Sequence, residues 1–402
     1  MTLVPGPWQR AAAGARLLGG NGEVAPTIFA EMTALAARTD AINLGQGFPD
    51  EDGPAEVLDA ARRAIAEGLN QYPPGRGTPD LLRAIAEHQQ RFYGLAWDPG
   101  TEILVTAGAT EALTATLLAL LEPGDEVVVF EPFYDSYAAA IALAGARLVP
   151  VRLRWPAFQP DADELASAVT DRTRVILIND PHNPTGAMFS QDTRELVVRL
   201  AERHDAIIVT DEVYEHLAFG AEHSPVAAMP GARGRTVSIS SAGKTFRTTG
   251  WKIGWLTAPS ALVTAILTVK QYLTYANGSP FQPAIAAGLR LPDAFFTGLA
   301  EDMRAKAETL GRGLEAAGFA VSRPAATYFT VVDTRPLGFD DAASFCRALP
   351  ARGGVAGVPL GAFVTEEHDG EFRSLVRFAA CKRIDVLREA ADRLAQLAGS
   401  TR

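Results

Sequence analysis

Residues 103–130 have the sequence ILVTAGATEALTATLLALLEPGDEVVVF. This stretch predicts a strand over Ile103–Ala107, an apolar helix over Thr110–Leu121 and a second strand over Glu126–Phe130, because short β-branched runs flank a longer apolar run. Two strands joined through a helix favour a parallel βαβ unit. We therefore expect an α/β fold built on a mainly parallel sheet that is sandwiched by helices.

The same alternation continues to about residue 258. Further strands are expected at Arg147–Val151, Arg174–Ile178, Ile207–Asp211, Thr236–Ser240 and Ile253–Ala258, with helices at Tyr134–Ala144 and Glu195–Arg203. Ligands of such sheets bind at the carboxyl ends of the strands. The polar motifs of this chain follow those strand ends.

The last hundred residues have a different pattern. A charged helix near Glu301–Ala317 precedes short strands and a final helix near Ile384–Ala398, which indicates a smaller α+β domain. The expected bounds are 1–45 for an N-terminal arm joining the small domain, 46–295 for the large domain and 296–402 for the small domain.

Composition narrows the class of protein. Lys and Arg number 37 against 47 Asp and Glu, a net charge of −10, which argues against non-specific nucleic-acid binding. No apolar run could cross a bilayer, and Arg10 and Arg16 interrupt a leader that we expect to be loosely ordered. Cys346 and Cys381 lack a metal-ligand spacing and suggest a reducing compartment. We expect a cytoplasmic protein with no membrane partner and no metal.

Two lysines follow the strand at Thr236–Ser240. The segment SSAGK places Lys244 at the sheet edge, where an amine of lowered pKa could form an imine, although a lysine after a strand is more often a solvated surface residue. The segment TGWKIGW places Lys252 between glycines that allow a ligand to approach the backbone. Lys252 could then neutralise a phosphate.

An amide and a carboxylate follow two neighbouring strands. Asn183 lies between two prolines in DPHNPTG, where it could donate a hydrogen bond to a phenolate, although Asn-Pro also marks ordinary turns. Asp211 ends the strand IIVTD and could keep a pyridine nitrogen protonated, or could simply cap a helix.

The junction TAGATE offers an anion site. Backbone N–H groups at the start of a helix, aided by the helix dipole, can bind a phosphate near Gly108. The junction is neither GxGxxG nor a Walker motif, so it supports neither a dinucleotide fold nor a P-loop NTPase.

Taken together, these motifs resemble the class I aminotransferases of pyridoxal 5'-phosphate (PLP) fold type I. The resemblance runs from about Phe29 to Arg383 and is closest to the kynurenine–glutamine/methionine branch. The stretches most like actinobacterial N-succinyldiaminopimelate aminotransferases are NLGQGFPDEDGP, NQYPPG, EPFYDSY, PHNPTG, TDEVYEHL and GWKIGW.

The resemblance implies a set of cofactor contacts. Lys244 matches the lysine that holds PLP as a Schiff base and then acts as general base in a two-half-reaction, ping-pong transamination. Asp211 matches the partner of the pyridinium nitrogen. The remaining matches are Asn183 and Tyr214 at the phenolic oxygen, Tyr134 stacked on the ring, and Gly108, Ala109, Thr110, Ser241 and Lys252 at the phosphate.

The resemblance also implies a homodimer with shared active sites and a substrate clamp. Tyr72, and by extension Tyr275, would reach the partner's site. Arg377 matches the arginine that binds the α-carboxylate of the amino acid, and its planar guanidinium suits a bidentate contact. Gly47 would donate a backbone hydrogen bond to the same carboxylate, and Phe29 would line the substrate site.

Three departures concern the choice of substrate. Lys252 stands where many members of the class have arginine, a change that the kynurenine–glutamine branch shares. Asp180, placed near the expected substrate, and Arg247 stand where small residues are common. The leader Met1–Glu23 is longer than expected.

Several functions stay open. N-succinyl-L,L-diaminopimelate with 2-oxoglutarate is the favoured pair of substrates, and kynurenine, methionine and glutamine are the alternative donors. A PLP β-lyase acting on C–S bonds would share the fold and the lysine. A PLP-binding regulator is the remaining alternative, although such proteins usually add a DNA-binding domain for which the leader is too short.

Overall fold

The computed structural model describes residues 4–19, 22–220 and 222–400. Its strands are β1 (Ile42–Asn43), β2 (Ile103–Thr106), β3 (Glu126–Glu131), β4 (Arg147–Arg154), β5 (Gln159–Pro160), β6 (Thr173–Asn179), β7 (Ile207–Asp211), β8 (Thr236–Ser241), β9 (Gly254–Thr257), β10 (Ala320–Ser322), β11 (Phe329–Asp333), β12 (Val355–Ala356), β13 (Val358–Pro359) and β14 (Leu375–Ala379).

Helices lie between most of these strands. They are α1 (Trp8–Gly14), α2 (Ile28–Thr39), α3 (Ala55–Ala66), α4 (Pro79–Tyr93), α5 (Gly108–Leu120), α6 (Asp135–Ala144), α7 (Ala162–Ala168), α8 (Gln191–Arg203), α9 (Ala242–Thr245), α10 (Ser260–Lys270), α11 (Phe281–Leu289), α12 (Asp293–Ala316), α13 (Ala342–Gly353), α14 (Asp369–Phe372) and α15 (Ile384–Ser400). Within the described ranges, no helix combines the length and apolarity needed to cross a membrane.

The larger sheet has eight strands in the order β2-β9-β8-β7-β6-β3-β4-β5. The five strands from β8 to β4 run parallel, whereas β9 is antiparallel to both of its neighbours and β5 is antiparallel to β4. All six residues of β3 and of β8 are buried, as expected for strands covered on both faces. The α/β architecture expected from the alternation is therefore present.

Helices cover the two faces of this sheet because successive strand residues point to opposite sides. On β3, Val127 and Val129 pack with residues of α5, α6 and α10, whereas Val128 and Phe130 pack with residues of α8.

The observed ends of the strands agree with the predicted ends to within three residues. The helix α12 begins at Asp293, eight residues before the predicted start, since its first two turns are mostly apolar and include Phe295 and Phe296 rather than the charged pattern that the prediction followed.

A smaller antiparallel sheet has the order β10-β11-β14-β13 and packs against α12 and α13. The N-terminal segment touches both parts of the molecule. Helix α1 packs on α6, where a Cβ at Gly14 would lie 2.6 Å from the Ala138 carbonyl oxygen. Further on, α2 packs on α13 and β1 pairs with β12. The chain thereby brings residues 42–48 to the junction of the two sheets.

Candidate active site

A cavity of about 390 Å³ lies at the carboxyl ends of the parallel strands. Every residue predicted for the site except Tyr72 lines it: Phe29, Gly47, Gly108, Ala109, Thr110, Tyr134, Asn183, Asp211, Tyr214, Ser241, Lys244, Lys252 and Arg377. Tyr72 is 82% exposed and lies on the surface, with its ring centroid 5.8 Å from that of Tyr275.

Lys244 stands at the end of β8, in the short helix α9. Its Nζ donates a hydrogen bond to the carbonyl oxygen of Gly47 at 3.2 Å. Burial lowers the pKa of the Lys244 amine to about 8, even though the carboxylate of Asp211 favours the charged form. Much of this amine is therefore uncharged slightly above neutral pH, which is the form that attacks a carbonyl carbon.

Asp211 ends β7, which lies next to β8, the strand at the edge of the parallel core. The Tyr137 hydroxyl donates to its Oδ2 at 2.6 Å and the Val213 backbone N–H to its Oδ1 at 3.4 Å. Burial raises the pKa of Asp211 in spite of these hydrogen bonds. A buried carboxylate of this kind is stabilised by a cation, and a protonated ring nitrogen would supply one.

The segment expected to bind the phosphate lies where β2 gives way to α5. Gly108 adopts a φ of +75°, and a Cβ there would lie 3.1 Å from Lys252 Nζ, so glycine lets the ammonium approach the helix start. Lys252 Nζ lies 3.4 Å from Thr110 Oγ1. Gly254 packs directly on the same turn, with a would-be Cβ 2.5 Å from the Gly108 carbonyl carbon. Backbone N–H groups and one ammonium thus face the cavity.

Arg377 lies on β14 between β11 and β13 and is 1% exposed. It donates to Asn183 Oδ1 at 3.0 Å and to the Gly45 carbonyl oxygen at 2.7 Å, while its buried Nε has no hydrogen-bond partner among the residues that the structure describes. Burial lowers the pKa of Arg377 to about 10. Because Arg377 occupies the amide oxygen of Asn183, the Asn183 NH₂ group remains free to donate into the cavity.

Aromatic rings enclose this guanidinium. Its Cζ atom lies 5.3 Å from the ring centroid of Phe29, 4.2 Å from that of Phe329 and 4.8 Å from that of Phe363. The rings exclude water from the charge and hold it in place. An anion that reaches Arg377 would therefore meet a preorganised, dry guanidinium.

Three side chains that support the site were not predicted. Tyr137 holds Asp211, and the Tyr328 hydroxyl donates to the Gly47 carbonyl oxygen at 2.5 Å, beside Lys244. Cys381, whose thiol lies 3.5 Å from the Gln46 carbonyl oxygen, also adjoins Lys244. Tyr137 lies within the motif EPFYDSY, but a tyrosine on an apolar helix is typical of a core residue, so the sequence did not indicate its role.

The placement expected for Asp180 near the substrate is wrong. Asp180 is buried but does not line the cavity; its Oδ1 accepts from the Phe189 backbone N–H at 3.2 Å, and its Oδ2 lies 3.6 Å from Arg194. The neighbouring Asn179 does line the cavity, since side chains of an extended segment alternate in direction.

Arg247 also lies outside the cavity lining. It pairs with Glu51 at 3.2 Å and with Asp302 at 3.1 Å, and Lys306 pairs with the same two carboxylates at 2.6 and 2.9 Å. Arg247 is therefore part of a charge network that connects the segment after Lys244 to helix α12.

A histidine pair lies outside the lining of this cavity, on α4 and after β7. His88 Nε2 and His216 Nε2 are 2.7 Å apart beside Glu215. Two nitrogens on a tetrahedral zinc ion, at Zn–N distances of about 2.0–2.1 Å, would stand about 3.3 Å apart. Glu215 moreover accepts hydrogen bonds from Tyr93 and Ser240. The geometry is that of a hydrogen-bonded imidazole pair.

The residues of the main cavity fit pyridoxal 5'-phosphate. An amine of lowered pKa, a carboxylate of raised pKa, an amide donor and a helix start beside one ammonium face one space, and each matches one functional group of that cofactor. Fold and site define a PLP-dependent enzyme of fold type I.

The chain belongs to the family of class I and II aminotransferases, whose model matches residues 39–394. It is 50% identical over 383 residues to the probable N-succinyldiaminopimelate aminotransferase of Mycobacterium tuberculosis, covering 93% of this chain and 96% of that protein. It is 39% identical over 376 residues to the methionine aminotransferase of Escherichia coli, covering 93% and 97%.

Solved structures agree with this assignment. The structure of N-succinyldiaminopimelate aminotransferase from Mycobacterium tuberculosis superposes with a TM-score of 0.90 at 51% identity, covering 93% of this chain and 97% of that one. The α/β fold of type I, the PLP cofactor and the activity of a transaminase, with amino acids and 2-oxo acids as substrates, follow from this membership.

Proposed function

We propose that this transaminase moves the amino group of N-succinyl-L,L-diaminopimelate to 2-oxoglutarate. The observation that carries the proposal is the 50% identity, over nearly the full length of both chains, to the relative named for that substrate. We assign Lys244 as the catalytic residue and Arg377 as the clamp for the α-carboxylate.

The chain's own residues would perform the reaction in a fixed order. Arg377, with its unpaired Nε and its ring of phenylalanines, binds the α-carboxylate and so orients the Cα–H bond. The free amine of Lys244 would then accept the Cα proton and deliver a proton to carbon C4' of bound PLP. Bound PLP supplies the electron sink for the charge left at Cα. Asp211 keeps the sink effective by holding a proton at the ring nitrogen.

Methionine or kynurenine as donor is the second candidate. Phe29, Phe329 and the half-exposed Phe48 give the cavity an apolar wall, and the methionine aminotransferase of Escherichia coli is 39% identical. The apolar side chain of such a donor would pack against this wall and would need no charged partner at its far end.

We also propose a homodimer with shared sites. Four large aromatic or aliphatic side chains are exposed: Tyr72 is 82% exposed, Tyr272 87%, Leu273 47% and Tyr275 40%, and the rings of Tyr72 and Tyr275 lie 5.8 Å apart. Such a patch is typical of a surface that another chain covers. We infer a cytoplasmic location, which the two free, buried cysteines support.

A panel of amino donors tests the substrate. N-succinyl-L,L-diaminopimelate, methionine, kynurenine and glutamine are each assayed with 2-oxoglutarate, and glutamate formation is measured. The succinylated donor should give the highest kcat/KM. A high rate with methionine or kynurenine and none with the succinylated donor would overturn the substrate and leave the class intact. Pyruvate release from cystathionine would indicate a β-lyase instead.

A further inference from the structure

Two segments that line the cavity separate where the pairing of β2 with β9 ends. These strands are antiparallel, and their pairing ends at Thr106 and Gly254. Beyond that pair, one segment continues to Gly108 at the start of α5, and the other leads back to Lys252. The carbonyl groups of Thr106 and Lys252 are both acceptors, so they cannot hydrogen-bond to each other. A donor from another part of the chain is needed to join them.

Asn277 supplies that donor. Its Nδ2 donates to the carbonyl oxygen of Thr106 at 3.1 Å and to that of Lys252 at 3.1 Å. An amide NH₂ group carries two N–H donors, which is one for each carbonyl. Asn277 is itself held by Gln282, a residue 1% exposed, whose Nε2 donates to the Asn277 carbonyl oxygen at 2.7 Å. Because Asn277 does not line the cavity, it joins the two segments without contacting a ligand there.

The backbone of Lys252 requires such support. Its φ of 52° and ψ of 48° place it in the left-handed region, which is uncommon for a lysine and persists only where the surroundings hold it. The angle ψ sets the direction of a residue's own carbonyl group, so the hydrogen bond from Asn277 restrains this conformation directly. The same conformation directs the ammonium group of Lys252 toward Gly108 and to within 3.4 Å of Thr110 Oγ1.

The start of α5 has hydrogen bonds of its own. Thr106 Oγ1 donates to the carbonyl oxygen of Gly108 at 3.0 Å, and Glu111 Oε2 accepts from the Ala107 backbone N–H at 2.6 Å. Loss of the Asn277 donors should therefore release the lysine and leave the helix start in place.

We propose that Asn277 is a positioning residue for the phosphate group of the cofactor. By joining the carbonyl of Lys252 to that of Thr106, it keeps the Lys252 ammonium beside the start of α5. The inference concerns cofactor binding and does not depend on which amino donor the enzyme uses. It predicts that Asn277 matters for the phosphate of PLP and not for the aldehyde or the ring, which we assign to Lys244 and Asp211.

The test compares PLP with pyridoxal, which lacks the phosphate. Apoenzyme is titrated with each compound, and the cofactor absorbance gives two dissociation constants, whose ratio measures what the phosphate contributes. Asn277→Leu removes both donors at nearly unchanged size, and Asn277→Ala removes them without an apolar replacement. In each variant, the preference for PLP over pyridoxal should fall roughly tenfold, the value of one charge-assisted hydrogen bond, while the affinity for pyridoxal stays within about twofold.

Gln159→Leu is the matched control. Gln159 also joins parts of the chain through its amide: its Nε2 donates to the Met188 carbonyl oxygen at 2.9 Å, and its Oε1 accepts from the Ser190 backbone N–H at 3.0 Å. It lies outside the cavity lining. This variant should keep the wild-type preference for PLP over pyridoxal.

The Lys252→Ala background tests the route of the effect. Without the lysine side chain there is no ammonium to position, so adding Asn277→Leu should change the preference for PLP no further. A second loss of roughly tenfold in that background would overturn the inference, because Asn277 would then act on another group. An equal loss of affinity for PLP and pyridoxal in both Asn277 variants would overturn it too, since that is the result of a general structural role. So would an unchanged preference in both variants.

Discussion

The hydroxyl of Tyr137 donates a hydrogen bond to Asp211 Oδ2 at 2.6 Å. Tyr137 is buried on α6, and Asp211 ends β7, so the contact joins a covering helix to the sheet edge beneath the cofactor site. This hydrogen bond stabilises the ionised form of the Asp211 carboxyl group. Burial has the opposite effect, because it raises the pKa of Asp211. A protonated Asp211 could not hold a proton on the ring nitrogen.

Tyr137→Phe should therefore weaken the hold on PLP. Loss of a hydrogen bond to a charged group costs about 1.5–3 kcal/mol, so the dissociation constant should rise about 10- to 150-fold in an absorbance titration of apoenzyme. Tyr93→Phe is the matched control, because Tyr93 makes the same kind of buried bond to Glu215 at 2.6 Å outside the cavity. If the two variants bind PLP equally well, Tyr137 has no positioning role.

The lowered pKa of Lys244 predicts a pH dependence. Burial brings the pKa from 10.5 to about 8, so the rate at which apoenzyme captures PLP should rise with pH around a midpoint near 8. Arg377→Gln removes a positive neighbour and should move that midpoint upward; Arg352→Gln should not. The unfolded chain retains this proton up to about pH 10.5, so the same group makes the folded apoprotein more stable as pH rises from about 8. A midpoint near 10 would contradict the prediction.

Asp180→Asn should leave transamination within about twofold of the wild type, because Asp180 faces Arg194 rather than the cavity. The substitution should instead change how the free energy of unfolding depends on pH. Burial raises the pKa of Asp180 to about 6, so the folded state binds more protons than the unfolded state between about pH 4 and 6. The wild type should lose up to about 3 kcal/mol relative to the variant across that window. Urea unfolding at pH 4.5 and 7 measures this loss; a variant with greatly reduced kcat would refute the placement.

The strand ends that border the cavity were predictable because local patterns determine them. Strand ends at Thr106, Asp211 and Ser241 follow from β-branched runs that stop at small or polar residues, and parallel strands bring those ends to one edge. A residue at such an end needs no long-range information to be placed near the ligand.

The direction of loop side chains was not predictable in the same way. Asn179 and Asp180 are adjacent and face opposite sides, and nothing in their local sequence indicates which one meets the cavity. Tyr328 reaches Gly47 across 281 positions of sequence, and Arg16 reaches Val364 across 348. Contacts of that separation depend on how the two sheets pack, which sequence periodicity does not encode.

Lys244 and Lys252 should differ in what their loss does. Lys244→Ala should bind PLP yet lose several orders of magnitude in turnover, since a positioned acid–base group alone contributes about 10²–10⁴-fold. Lys252→Ala should keep the chemistry and bind PLP about 10- to 150-fold more weakly, a loss that excess cofactor corrects. Borohydride reduction with peptide mapping checks the assignment. A phosphopyridoxyl label on any lysine other than Lys244 would refute the assignment of the catalytic residue.

Mixing two inactive or weakened variants tests the shared site. If Tyr72 serves the partner subunit's phosphate, a heterodimer of Lys244→Ala with Tyr72→Phe contains one wild-type site, because the subunit with intact Lys244 receives Tyr72 from the other. Unfolding and refolding the two together at limiting PLP should thus raise activity above the sum of the separately refolded homodimers. Lys244→Ala mixed with Lys252→Ala is the control for reassembly: both residues line the cavity of their own subunit, so each defect stays in its own site and the mixture should give no gain. A lack of gain with Tyr72→Phe, in a mixture that light scattering reports as dimeric, would place Tyr72 outside the partner's site.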